Sequence, residues 1–166
     1  GRTVDGLFSS ELAEDGTLVA RSIQVAIGVA HRPFVAIHEV GHFLDLHALP
    51  GPTFASADER VETLSEWRQA VGRSRAVRGL RELATSRDFG ARRRAERLLP
   101  AEELWARSYA QFVAMRCGRG VLRSALAIQQ RRQPDALYLP QQWDDDDFDE
   151  VDTAIEELFR RMQWMG

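Results

Sequence analysis

The sequence is short of cysteine, of long apolar runs and of net charge, and each shortage closes off a class of protein. A single cysteine, Cys117, leaves no internal disulfide framework and no thiolate cluster for a metal. That usage fits a reducing compartment, so a cytoplasmic location is expected. No apolar stretch approaches the roughly 20 residues of a spanning helix, and no secretory signal with basic start, apolar middle and small-residue cleavage site is recognisable. A membrane role is therefore not expected. The formal net charge is -3. The arginines at 92, 93, 94 and 97 are offset by the acidic run Asp144 to Asp147, which leaves no overall basic field for nucleic acid. No internal repeat is present. The first residues, Gly1 and Arg2, are not Met, and a piece of a larger protein is the expectation.

What is present reads as one soluble domain over residues 1–166, a monomer by default. Of its residues 44% are apolar and 28% charged, the balance of a globular chain. Gly6 to Ile27 mixes β-compatible runs with the turn Glu14-Asp15-Gly16 and predicts a short hairpin. Pro33 opens a helix that runs to Leu49, just before Pro50-Gly51-Pro52, with apolar residues on more than one side. A second helix is predicted from Ser56 to Gly72, then one or two short ones between Ser74 and Leu99 with a break near Asp88 to Gly90. Pro100 sets up a strong helix from Ala101 to Cys117. Another follows over 121–130, then a loop from Gln133 to Gln142, and an amphipathic helix from Asp144 to Met162. The four aspartates of that last helix sit at the positive end of its dipole, a structural use preferred over a calcium site. The fold class expected is α+β and mainly α-helical, with a small N-terminal β element.

The chemistry concentrates in His38-Glu39-Val40-Gly41-His42. Residues four apart on a helix differ by about 40° in azimuth and about 6 Å in height, so His38 and His42 can close on one ion. Glu39 points about 100° away, where it reaches a water on the metal without being a ligand, and its expected role is general base. A catalytic zinc takes a third protein ligand and keeps one position open. Four residues are candidates. His47 lies nine after His38, whereas the metzincin pattern has ten, with a glycine where Asp45 stands. Asp45 is better suited to accept a hydrogen bond from a ligand imidazole. Glu102 and Glu103 start the strong helix that follows Pro100.

His38-Glu39-Val40-Gly41-His42 with Asp45, followed on a later helix by Glu103-Leu104-Trp105-Ala106-Arg107 and the aromatic Tyr109, resembles the phage-type and large-polyvalent-protein metallopeptidases, which are gluzincins. Where those proteins often carry a further acid, this chain has Ala110. The resemblance implies a zincin-like domain, a Zn2+ cofactor, Glu103 as third ligand and a peptide or protein substrate. Arg107 then pairs with Glu103, with Asp45 or with a substrate carboxylate, or faces solvent. Tyr109 and Tyr138 are candidate oxyanion donors. Cys117 is read as a small apolar residue, and His31 as a surface loop residue. The competing expectations are an inactive fold that binds a partner protein, and a structural zinc site closed by Asp45 or His47.

Overall fold

The computed structural model describes residues 5–28, 31–118, 120–131 and 141–165. Among them the chain is mainly helical, with one two-stranded antiparallel sheet. Strands β1 (Gly6–Leu12) and β2 (Leu18–Val25) are the hairpin expected from the sequence, paired from Gly6↔Val25 to Leu12↔Leu18 with an irregularity between Ser9 and Ser10. The turn is closed by Asp15, whose carboxylate accepts from both the amide and the hydroxyl of Thr17. Gly16 follows at φ 83°, a left-handed conformation that glycine adopts without the cost a side chain adds.

Helix α1 (Arg32–His47) begins with Pro33 in its first turn and ends ahead of the Pro-Gly-Pro segment. It packs beneath both strands and against helix α5 (Ala101–Arg116), which carries a fully buried stripe of Ala106, Ala110 and Ala114 at one-turn spacing. Gly41 lies directly on this stripe. A Cβ placed there would come within 2.8 Å of the Ala106 Cα, and the Gly41 carbonyl accepts a hydrogen bond from the Trp105 indole at 3.0 Å. The helix-interior glycine thus permits two backbones to approach.

Gly41→Ala sets two effects against each other. Helix propensity gains about 1 kcal/mol, while overpacking against a buried backbone typically costs about 1–3 kcal/mol. A buried helix has little room to yield, so a net loss is expected, measured as a lower urea midpoint at unchanged slope. A variant as stable as the parent would contradict the close approach.

Helix α2 (Ser65–Arg73) starts later than the predicted Ser56. The amide and hydroxyl of Ser56 are drawn to Asp45, and the Asp58 carboxylate turns back onto Arg60, so the intervening chain forms two 3-10 turns, Ala55–Ala57 and Glu62–Leu64. Helices α3 (Arg75–Ala84) and α4 (Phe89–Leu98) divide just before the expected break, each started by a side-chain cap. Ser74 accepts from the Val77 amide and Asp88 from the Ala91 amide. Helix α6 (Gly120–Gln130) packs on α5, and α7 (Asp145–Arg161) closes the chain. The acidic run does more than start α7, because the Asp147 carboxylate accepts from the amides of Arg75 and Ala76 and so also caps α3.

The main core lies between α2, α5 and α7, with Trp67, Trp105, Trp143, Phe148, Ile155 and Leu158 buried together. Gln111 grips the backbone of Trp143 from both sides, accepting from its amide and donating to its carbonyl at 3.0 Å each. A second cluster joins Phe34 of α1 to the α5 alanines and to Leu122 and Leu126 of α6. Among the described residues no helix is long and apolar enough to cross a membrane. Most of the predicted loop from Gln133 to Gln142, including Tyr138, lies outside the described residues.

Candidate metal centre

Helix α1 presents His38 and His42 one turn apart, their rings 4.9 Å between centroids and nearly perpendicular at 83°. The crossing of α5 at Gly41 sets the start of that helix over the same face. Glu103, in its first turn, places Oε2 3.5 Å from His38 Nε2 and 3.7 Å from His42 Nε2. The three donor atoms lie within 4.8 Å of one another. Around a tetrahedral zinc with bonds near 2.0–2.2 Å, neighbouring donors stand roughly 3.3–3.6 Å apart. The Glu103 oxygen already stands near that spacing from each imidazole nitrogen, and the donor set is one that zinc takes. Burial pushes the Glu103 carboxyl up, but hydrogen bonds from both imidazoles and the charge of Arg107 outweigh it and hold the group well below the usual carboxylate range. A metal-binding carboxylate has to be ionised, and these surroundings favour that form.

Glu39, with 6% of its surface exposed, sits under the sheet. Gly6 of β1 passes so close that a Cβ there would stand 2.4 Å from Glu39 Oε1, and the Phe8 amide also bonds the carboxylate. Burial raises the Glu39 carboxyl above its usual value, with His38, His42 and the Phe8 amide opposing. A raised carboxyl suits a group that must both take and return a proton near neutral pH. Phe8 lies parallel to the His42 ring at 6.1 Å, and Phe54 meets it edge-on at 6.4 Å, so one side of the site is an aromatic wall.

The other residues singled out from the sequence are placed as follows. His47 accepts a hydrogen bond from the Ala20 amide through Nε2 at 2.7 Å, which ties α1 to β2 and removes it from the ligand candidates. Glu102 borders the site but is not among the grouped donors. Asp45 is fully buried, yet its bonds run to the Ser56 amide at 2.7 Å and hydroxyl at 2.5 Å rather than to an imidazole; His42 feels it only through charge. Arg107 does not face solvent. It is 2% exposed, donates to the carbonyls of Gln141 and Leu98, and holds its guanidinium 5.0 Å from the Trp143 ring. Burial lowers its pKa to about 10, with Glu103 opposing, so it remains a cation. Tyr109 is corrected as an oxyanion donor, because it stacks on Trp105 and meets Phe159 edge-on, on the side of α5 that meets the core. Cys117 is half-buried at the end of α5 and packs against the second cluster.

Asp45 carries a pH signature. Burial raises its carboxyl from 3.8 to about 6, against the pull of Ser56 and His42. The native state therefore binds this proton more tightly than the unfolded chain. The group's destabilising charge is fully felt above about 6, shrinks as pH falls, and is gone below 3.8. The difference is on the order of 3 kcal/mol. Asp45→Asn keeps an acceptor for the Ser56 amide and removes the charge. In metal-free protein it is expected to raise the melting temperature at pH 7.5 and to change it little at pH 4. A loss at pH 7.5 as large as that of Asp45→Ala would reject a buried charge at this position.

Compared with known proteins, the chain matches no protein-family model, no curated protein and no solved structure.

Proposed function

We propose that the chain is a zinc-dependent peptidase domain of the gluzincin type, with His38, His42 and Glu103 as ligands and Glu39 as general base. The observation that supports this most is the convergence of three ligand atoms from two helices, with a buried carboxylate adjoining them. Held by His38, His42 and Glu103, a zinc ion would supply a Lewis acid able to polarise a peptide carbonyl and to lower the pKa of water towards 7. The protein's own groups do the rest. Glu39 takes a proton from the attacking water and returns it to the departing amine, so one carboxyl serves both halves of the reaction. Gly6 and the Phe8 amide fix the direction of that carboxyl, while the aromatic wall beside His42 keeps the ligand ring in place and limits water.

A structural zinc site needs a fourth protein donor. Among the described residues the group has three, and Asp45 and His47 are bonded elsewhere. The open position favours catalysis. The test is hydrolysis of a broad mixture of quenched peptides by protein stripped with a chelator and then reloaded. Activity should be absent without metal and return with one equivalent of zinc. Full zinc occupancy with no cleavage would contradict the proposal.

A further inference from the structure

The cleft that opens from the metal centre has a volume of about 770 Å³ and runs from His38, Glu39 and Glu103 towards helix α4. That is room for several side chains of a peptide. Its far wall carries Arg94 and Arg97, three residues apart on α4 and therefore on one face. The arginines of α4 are not equivalent. Arg92 and Arg93 lie over the Phe89 ring at 5.5 and 5.7 Å, and Arg92 also approaches Glu96 at 3.8 Å. Arg97 lines the cleft and is exposed, and among the described residues neither a hydrogen bond nor an ion pair engages it.

A second observation comes from the same cleft. Gln142 also lines it, is 2% exposed, and among the described residues its side-chain oxygen has no hydrogen-bond donor. A buried acceptor left unmet costs stability, and a turn of the Gln142 side chain towards the cleft would let a peptide N–H satisfy it. The acids of the cleft, Asp5, Glu39 and Glu103, are equalled in number by Arg94, Arg97 and Arg107, and a divalent ion held at Glu103 would tip the balance to positive.

We propose, on the basis of the peptidase reading above, that this cleft selects peptides bearing an acidic side chain beside the bond to be cut, with Arg97 receiving the carboxylate and Gln142 accepting from the peptide backbone. The guanidinium pairs with a carboxylate by two parallel donors, which gives geometry as well as charge. An uncharged glutamine at the same position of the peptide loses that pairing.

The experiment has two arms. In the first, zinc-loaded protein is given a random peptide mixture and the cut ends are read by mass spectrometry. Glu and Asp should be enriched about tenfold at one position flanking the cut, and Arg97→Glu should erase that enrichment. In the second, binding of fluorescent peptides differing only by Glu or Gln is measured on the Glu39→Gln protein. The Glu peptide should bind about tenfold tighter at low salt, with the difference gone in Arg97→Glu. Arg97 is exposed, so circular dichroism should show both variants folded. Cleavage without acidic preference, or a preference that survives Arg97→Glu, would overturn the proposal and leave the peptidase reading standing. Acidic preference in binding with no cleavage anywhere would uphold the acidic-peptide cleft and remove the peptidase reading. Neither cleavage nor preference would overturn both.

Discussion

Glu39→Gln is expected to lower peptide hydrolysis by about 10²–10⁴-fold or more while zinc content stays at the parental value and the melting temperature does not fall. Glutamine has nearly the same shape and still accepts from the Phe8 amide, so the seat under Gly6 is kept. It has no basic oxygen for a proton. Because Glu39 is not among the grouped donors, the ion should be held as before. The measurement is kcat on a cleaved peptide alongside zinc stoichiometry on the same sample. Activity within a few-fold of the parent would reject Glu39 as the base, and loss of zinc would make it part of the cage instead.

The second large effect belongs to Glu103. Removing a partner that merely orients a metal ligand costs about 10–100-fold in affinity. Loss of a direct ligand should therefore cost at least about a hundredfold, and Glu103→Ala is expected to do so in a competitive zinc titration. Glu102→Ala provides the control. It changes the adjacent carboxylate in the same helical turn, outside the donor group, and is expected to leave zinc affinity within a few-fold of the parent. Both acids stabilise the α5 dipole to a similar degree, so a helix-dipole role alone would make the two variants alike. Equal zinc affinity in both would contradict Glu103 as a ligand.

Much of this arrangement was legible in the residues, for identifiable reasons. Pro33 and Pro50-Gly51-Pro52 bracket α1, Pro100 starts α5, and Asp15-Gly16 marks the hairpin turn; each is local punctuation that acts whatever the rest of the chain does. The pairing of His38 and His42 follows from helix geometry alone. Preferring Glu103 to Glu102 does not follow from spacing and rests on resemblance; the structure brings Glu103 Oε2 to 3.5 and 3.7 Å from the two imidazole nitrogens, where α5 passes close to α1 at Gly41.

Other features depended on tertiary partners that the local sequence does not announce. Helix α5 is buried on nearly all sides, so its periodicity could not say that Arg107 faces the cleft and Tyr109 the core. The late start of α2 reflects Ser56 being taken by Asp45, a bond between separate segments. Phe8 and Phe54 reach His42 from the hairpin and from the loop after α1 and carry no motif. Gly6, the first residue of β1, marks instead the place where the strand passes close over Glu39 and Val35.

The most direct test of a zinc held jointly by His38, His42 and Glu103 is anomalous diffraction at the zinc edge from crystals of the reloaded protein. One peak is expected, about 2.0–2.2 Å from both imidazole nitrogens and from a Glu103 oxygen, with no protein atom in the fourth position. A saturated crystal with no peak there, or a peak enclosed by a fourth side chain, would contradict it.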